Sequence, residues 1–139
     1  MSTNRIKLVD LKQMSEQADV RRKLLMNGPR FHTWLHVYNN PGEIEKMHCH
    51  NADQIFYCIE GECTMHFPGG AKEVLKPGMV ALIPGGSFYE LENSGTGKLV
   101  MLGARSLSDQ ASKRIDYVTR QEVKIREKGE PPKATQILV

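Results

Sequence analysis

From residue 31 to residue 102 the chain is cut into short apolar runs by glycine, proline and asparagine, and this punctuation excludes most architectures. The runs span 31–38, 55–59, 62–67, 73–75, 79–83, 88–91 and 99–102. Between them stand Asn39-Asn40-Pro41-Gly42, Gly61, Pro68-Gly69-Gly70, Pro77-Gly78, Pro84-Gly85-Gly86 and Asn93-Ser94-Gly95. Each run has the length of a strand and none has the length of an amphipathic helix. Strands this short, separated by turn residues, predict an all-β sandwich or barrel.

The ends read differently. The first 27 residues carry one apolar alternation, Ile6-Lys7-Leu8-Val9, and then a polar segment that reads as a helix over 11–26. After Ser106 the β texture stops, and a second helix is expected around 110–117. Pro131-Pro132 then precedes the apolar end Ile137-Leu138-Val139, which suits pairing with a sheet edge of the same chain or of a second copy. The expectation is a single domain, 1–139. It comprises a barrel over 31–104, an N-terminal extension over 1–30 and a polar, partly helical tail over 105–139.

Charge and composition narrow the function. A net charge of +3, with the basic excess interleaved with acids in the last third, gives no footprint for nucleic acid. No apolar stretch reaches the roughly 20 residues that span a bilayer. The first ten residues lack the pattern of a secretory leader, so a cytoplasmic protein without membrane contact is expected. Cys49, Cys58 and Cys63 are odd in number and form no C-x-x-C pair, which fits reduced thiols.

His48-Cys49-His50 follows a turn and enters a strand, so alternation places both imidazoles on one face, about 7 Å apart along the chain. Two such rings can converge on one cation. Gln54 returns its amide oxygen to the same place if Asn51-Ala52-Asp53 makes a small turn. Imidazole suits Zn, Fe, Mn, Ni or Cu.

These residues also carry a resemblance. Gly42-x5-His48-x-His50-x3-Gln54-x6-Gly61 resembles the first motif of the cupin superfamily, with glutamine where glutamate is usual. Gly78-x5-Pro84-x-Gly86-x2-Tyr89-x3-Asn93 resembles the second, with tyrosine where histidine is usual. The resemblance implies a small double-stranded β-helix (jelly-roll) barrel, a homodimer, and one divalent transition metal ion per chain. The ion would be held by His48, His50, Gln54 and Tyr89. Gln54 removes a negative charge from such a shell, which weakens binding but leaves a stronger Lewis acid. Cupins with glutamine here, such as those of pectin degradation and polyketide cyclisation, resemble redox-neutral metal enzymes. Three readings of Tyr89 stay open: metal ligand, general acid or base beside the metal, or pocket lining in a barrel without metal.

Other positions are weighed on the same terms. His32, Trp34, His36 and Tyr38 share one face of their strand, and Phe31, Thr33, Leu35 and Val37 the other. If the first face looks inward, His36 and Trp34 line a substrate pocket. Phe56 and Cys58 share the parity of Gln54 and form an apolar wall, Cys58 as a small buried thiol. Arg30 suits a substrate carboxylate, although a surface position is the simpler reading. His66 is structural, and Met47, Met65, Met79 and Met101 are core. Gly42, Gly61, Gly78 and Gly86 fall where strands reverse.

The function expected is a metal-dependent enzyme acting on a small oxygenated, anionic molecule by lyase, isomerase or cyclase chemistry. A cupin dioxygenase and a non-catalytic barrel that binds or senses a small ligand are the alternatives.

Overall fold

The computed structural model describes residues 6–123. The described chain runs through α1 (Leu11–Gln17), β1 (Arg22–Asn27), β2 (Phe31–Tyr38), β3 (Ile44–His50), β4 (Gln54–Glu60), β5 (Cys63–His66), β6 (Lys72–Leu75), β7 (Val80–Ile83), β8 (Tyr89–Asn93), β9 (Leu99–Ser106), β10 (Arg114–Asp116) and β11 (Glu122–Val123). One sheet has the order β1-β2-β9-β4-β7 and the other β11-β10-β3-β8-β5-β6, with antiparallel neighbours throughout. Non-consecutive neighbours in both sheets give the jelly-roll arrangement expected of the strand spacing. No helix of the described residues is long and apolar enough to cross a membrane.

The core lies between the sheets. Trp34, Tyr38, Phe56 and Cys58 come from the first sheet, and Cys63, Met65, Leu75, Tyr89 and Leu91 from the second, all buried. Burying each large side chain contributes on the order of 2 kcal/mol. A second cluster covers the outer face of the first sheet, where α1 and the preceding segment place Val9, Leu11, Met14 and Ala18 against Leu25, Leu35, Val37 and Val100. Strand β2 is therefore covered on both sides over these residues. Its His32, Trp34, His36 and Tyr38 face inward, which settles the orientation left open by alternation. Met65 and Met101 are core as expected, but Met79 is 48% exposed on the turn before β7.

Cross-strand register arranges the inner face of the first sheet in rungs. His32, Arg105, Gln54 and Ile83 form one rung, and Leu24, Trp34, Gly103, Phe56 and Ala81 the next. Arg22, His36, Met101 and Cys58 form the third. Gly103 has a steric reason: a Cβ there would fall 2.4 Å from Cζ2 of Trp34, whose ring occupies that space.

Two expectations about the ends are corrected. The helix expected over 11–26 closes at Gln17, capped at its start by Asp10, whose carboxylate accepts from the Gln13 amide at 3.0 Å. Residues 22–27 form β1 instead. Leu24 and Leu25 are buried on opposite faces, which a strand against β2 satisfies. The helix expected around 110–117 is a turn followed by β10. That strand pairs Arg114 with His50, Ile115 with Cys49 and Asp116 with His48. In both places an unpaired sheet edge outweighs weak helical propensity. The end at 137–139 lies outside the described residues.

Gly42, Gly61, Gly78 and Gly86 all have φ between +82° and +90°. Only Gly61 is also crowded, since a Cβ would stand 2.4 Å from the Lys98 carbonyl oxygen and 2.8 Å from the Leu99 Cα. Gly61→Ala combines left-handed strain with a backbone clash and is expected to cost more than about 2 kcal/mol in urea unfolding. Gly42→Ala, with the same φ and open space, is expected to cost about 1 kcal/mol. Equal losses at the two sites would show that packing beside Gly61 is not the cause.

Candidate functional site

A cavity of about 40 Å³ opens between the sheets, lined by Trp34, His36 and Phe56 on one side and by His48, His50, Tyr89 and Leu91 on the other. Arg22, Glu45, Arg105 and Arg114 complete its wall. Register explains the contacts within it. His48 and Tyr89 are cross-strand partners on β3 and β8, and Gln54 and Arg105 are partners on β4 and β9. Directly opposed side chains are close enough to bond.

The protons of this cluster can be assigned. His48 Nδ1 lies 2.5 Å from the Lys46 carbonyl, which only accepts, so Nδ1 carries the hydrogen and Nε2 keeps its lone pair. Tyr89 Oη, 3.1 Å away, then donates to Nε2. Arg105 Nε donates to Gln54 Oε1 at 2.8 Å. That fixes the orientation of the Gln54 amide, and both Gln54 and the Arg105 charge favour the ionised form of Tyr89 against its burial. Arg105 Nη1 also donates to Ser112 Oγ at 3.3 Å. Two directed hydrogen bonds, Arg105 to Gln54 and Tyr89 to His48, thus lie side by side in the site. The Arg105 guanidinium lies 4.3 Å above the Trp34 ring, a cation–π contact inside the barrel.

Burial sets the charge states. It lowers His48 to about 4, aided by Arg114, and His36 to about 3, aided by Arg21. His50 is pushed far down, first by burial and then by Arg105 and His48. His32 falls to about 4, again through burial. All four are neutral imidazoles at pH 7. Burial raises Tyr89, with Arg105 opposing, so it is a neutral phenol. Arg105 falls to about 10 through burial and remains a cation.

The resemblance implies a metal centre, and the residues fit it only in part. His48 and His50 suit it, being neutral with ring centroids 4.9 Å apart. The other two donors do not. Gln54 Oε1 is taken by Arg105, and Tyr89 is a protonated phenol that donates to the very nitrogen His48 would offer. A guanidinium bonded to Gln54 opposes a second cation there. Among the described residues no group of three or more His, Cys, Asp or Glu is placed to hold an ion. This arrangement does not fit a three-His, one-Glu cage or its Gln/Tyr variant.

The structure brings His48, His50, Tyr89, Trp34, His36 and Phe56 to one cavity, with Gln54 joined through Arg105. Arg30 does not line this cavity. It is exposed and lines an open groove of about 290 Å³ whose lining also includes Gln54 and Arg105, so Arg105 borders both spaces. Cys58 is a buried thiol directed at the Glu60 and Gly61 carbonyls, and burial pushes it up to about 11. His66 bonds Glu92 at 2.8 Å, away from the cavity. The arginines of the site, Arg22, Arg105 and Arg114, were not foreseen. Only Arg105 left a signal, since Leu99, Met101, Gly103 and Arg105 alternate inward once β9 is extended to Ser106.

Neutral buried histidines link stability to pH. The unfolded chain takes up protons near 6.5, whereas the folded chain takes them up near 4 or lower. Stability is therefore fully present above 6.5 and is lost as the pH falls from there toward 4. Each histidine contributes up to about 1.4 kcal/mol per pH unit. Urea midpoints are expected to drop steeply between pH 7 and 5, and His36→Gln to flatten that slope. A flat profile would falsify neutral burial of these rings.

The comparisons with known proteins agree on the barrel. The Cupin domain family matches residues 35–104, half of the chain. No curated protein matches the sequence. Among solved structures, protein BH2720 from Bacillus halodurans is 18% identical, covers 74% of this chain and 82% of its own, and superposes with a TM-score of 0.69. KdgF from Halomonas is 20% identical over 64% of this chain and 81% of its own, with a TM-score of 0.58. The DMSP lyase DddQ from Ruegeria pomeroyi is 16% identical over 73% of this chain and 53% of its own, with a TM-score of 0.61. At these identities the neighbours show the fold alone. With the motif spacing, the two sheets and the family match in agreement, the chain belongs to the cupin family.

Proposed function

We propose that this cupin is an enzyme of redox-neutral chemistry, of lyase, isomerase or cyclase type, acting on a small oxygenated anion. Tyr89 is its proton-moving group. The observation that carries this reading is the Tyr89–His48 hydrogen bond beside the Arg105–Gln54 pair. His48 Nε2 holds the phenol hydrogen in the ground state. Rotation about the Cζ–Oη bond presents that hydrogen to a ligand in the cavity. Arg105 and Gln54 both favour the ionised form of Tyr89, so they stabilise the phenolate that forms. His48 Nε2 is the base that orients the hydroxyl on its return. That a structural neighbour is a DMSP lyase accords with lyase chemistry on this fold.

A second reading rests on His48 and His50, two neutral imidazoles side by side, with His50 Nδ1 buried and without a partner. It is a metal enzyme, redox-neutral or a dioxygenase, and it requires Arg105 to release Gln54. For assembly we propose a homodimer that covers the outer face of β4 and β7, where Tyr57, Val80 and Leu82 are exposed. The free, buried cysteines accord with a cytoplasmic location.

Deuterium uptake from D2O into a panel of small hydroxy and keto acids, followed by proton NMR, tests the proposal. Chelator-treated wild type is expected to catalyse exchange, and Tyr89→Phe to lose at least about 100-fold. Exchange that Tyr89→Phe leaves intact overturns the role of Tyr89. Exchange abolished by chelation and restored by Zn, Mn, Fe, Ni or Cu moves the case to the metal reading. A folded protein that binds members of the panel without exchanging them is a binding module.

A further inference from the structure

Several hydrogen-bonding atoms of the cavity residues are buried and lack partners: Arg22 Nη1, His36 Nε2, His50 Nδ1 and Arg114 Nε. Both arginine atoms can only donate. His36 is also a donor, because its Nδ1 accepts from Trp34 Nε1 at 3.2 Å and the neutral ring therefore carries its hydrogen on Nε2. A cavity whose unpaired atoms are mostly obligate donors lacks acceptors. The natural complement is an oxyanion.

Charge points the same way and fixes the number. Arg22 is paired with Asp109 at 2.9 Å, and Arg114 reaches Glu45 at 3.5 Å, which Arg21 also reaches at 3.7 Å. Glu45 Oε1 lies 3.7 Å from His36 Nε2, too far for a hydrogen bond. Arg105 is different. Its hydrogen-bond partners are Gln54 and Ser112, both neutral. Arg21 is paired with Glu43 at 2.8 Å, so Arg21, Arg22, Arg105 and Arg114 face the three carboxylates Glu43, Glu45 and Asp109, and one positive charge is left for the ligand to balance. The apolar wall of Trp34, Phe56 and Leu91 and the small volume limit the remainder to a few heavy atoms.

We propose that the cavity binds a compact monocarboxylate, its carboxylate received by Arg105 with Arg22, His36 and Arg114, and its other oxygen presented to Tyr89. This rests on the function proposed above and specifies the substrate class of the same site. The three arginines lie outside residues 35–104, on the flanking strands β1 and β10 and at the end of β9.

Calorimetric titration of chelator-treated protein with lactate, lactamide and inorganic phosphate tests it. Lactate is expected to bind at least tenfold more tightly than lactamide, with an affinity that falls as salt is raised. Arg105→Met is expected to lose at least tenfold for lactate and to narrow the gap between lactate and lactamide. Equal binding of acid and amide, undiminished lactate binding in Arg105→Met, or tighter binding of phosphate than of lactate overturns the proposal. Should Arg105→Met fail to fold, Arg22→Met and the acid–amide comparison on wild type decide it. Carboxylate selectivity without exchange chemistry removes only the proposed reaction, and exchange without carboxylate selectivity removes only this inference.

Discussion

A guanidinium withdrawn from water is the interaction on which the rest of the site depends. Arg105 is 5% exposed, and the effective cost of removing an ion from water is several kcal/mol. Its environment offsets that cost with directed bonds to Gln54 and Ser112 and with the face of Trp34. Each of those partners is held in turn by the barrel. Trp34 can lie where it does because Gly103 has no side chain, and Gly103 is two residues from Arg105 on the same inward face. The cation, the ring and the glycine form one packing unit, and the orientation of the Gln54 amide follows from it.

The barrel alone does not close this site. Strand β3 carries His48 and His50, and without β10 its outer edge would be open. The segment after Ser106 supplies β10, the Ser112 hydroxyl that holds Arg105, and Arg114 in the cavity wall. At the opposite end of the first sheet, β1 supplies Arg22. Flanking segments therefore complete the sheets and deliver charge to the cavity at once, so losing either would disturb backbone pairing and electrostatics together.

The barrel was legible because its strand breaks are written in glycine and proline, which have few alternatives where φ is positive or a strand must turn. The His48/His50 pair was legible for the same kind of reason, since period-two alternation decides its face. The flanking strands were not. Residues 22–27 and 114–116 are short and mixed in polarity, and they become strands only because an edge is waiting for them. Parity could place Gln54 and Tyr89 inside, but it could not reveal that Arg105 bonds Gln54. That contact depends on cross-strand register between β4 and β9, and register is a property of the assembled sheet.

The same register bears on why glutamine and tyrosine stand where glutamate and histidine are usual. A glutamate opposite Arg105 would neutralise the cation and close the cavity to an anion. Gln54 instead orders the guanidinium through its oxygen and leaves the charge in place. A histidine at position 89 would add one more neutral imidazole beside His48, whereas the phenol donates to His48 Nε2 and stays neutral. Both departures thus keep the inner wall free of any charge that would cancel Arg105, Gln54 by accepting from the guanidinium and Tyr89 by holding its proton.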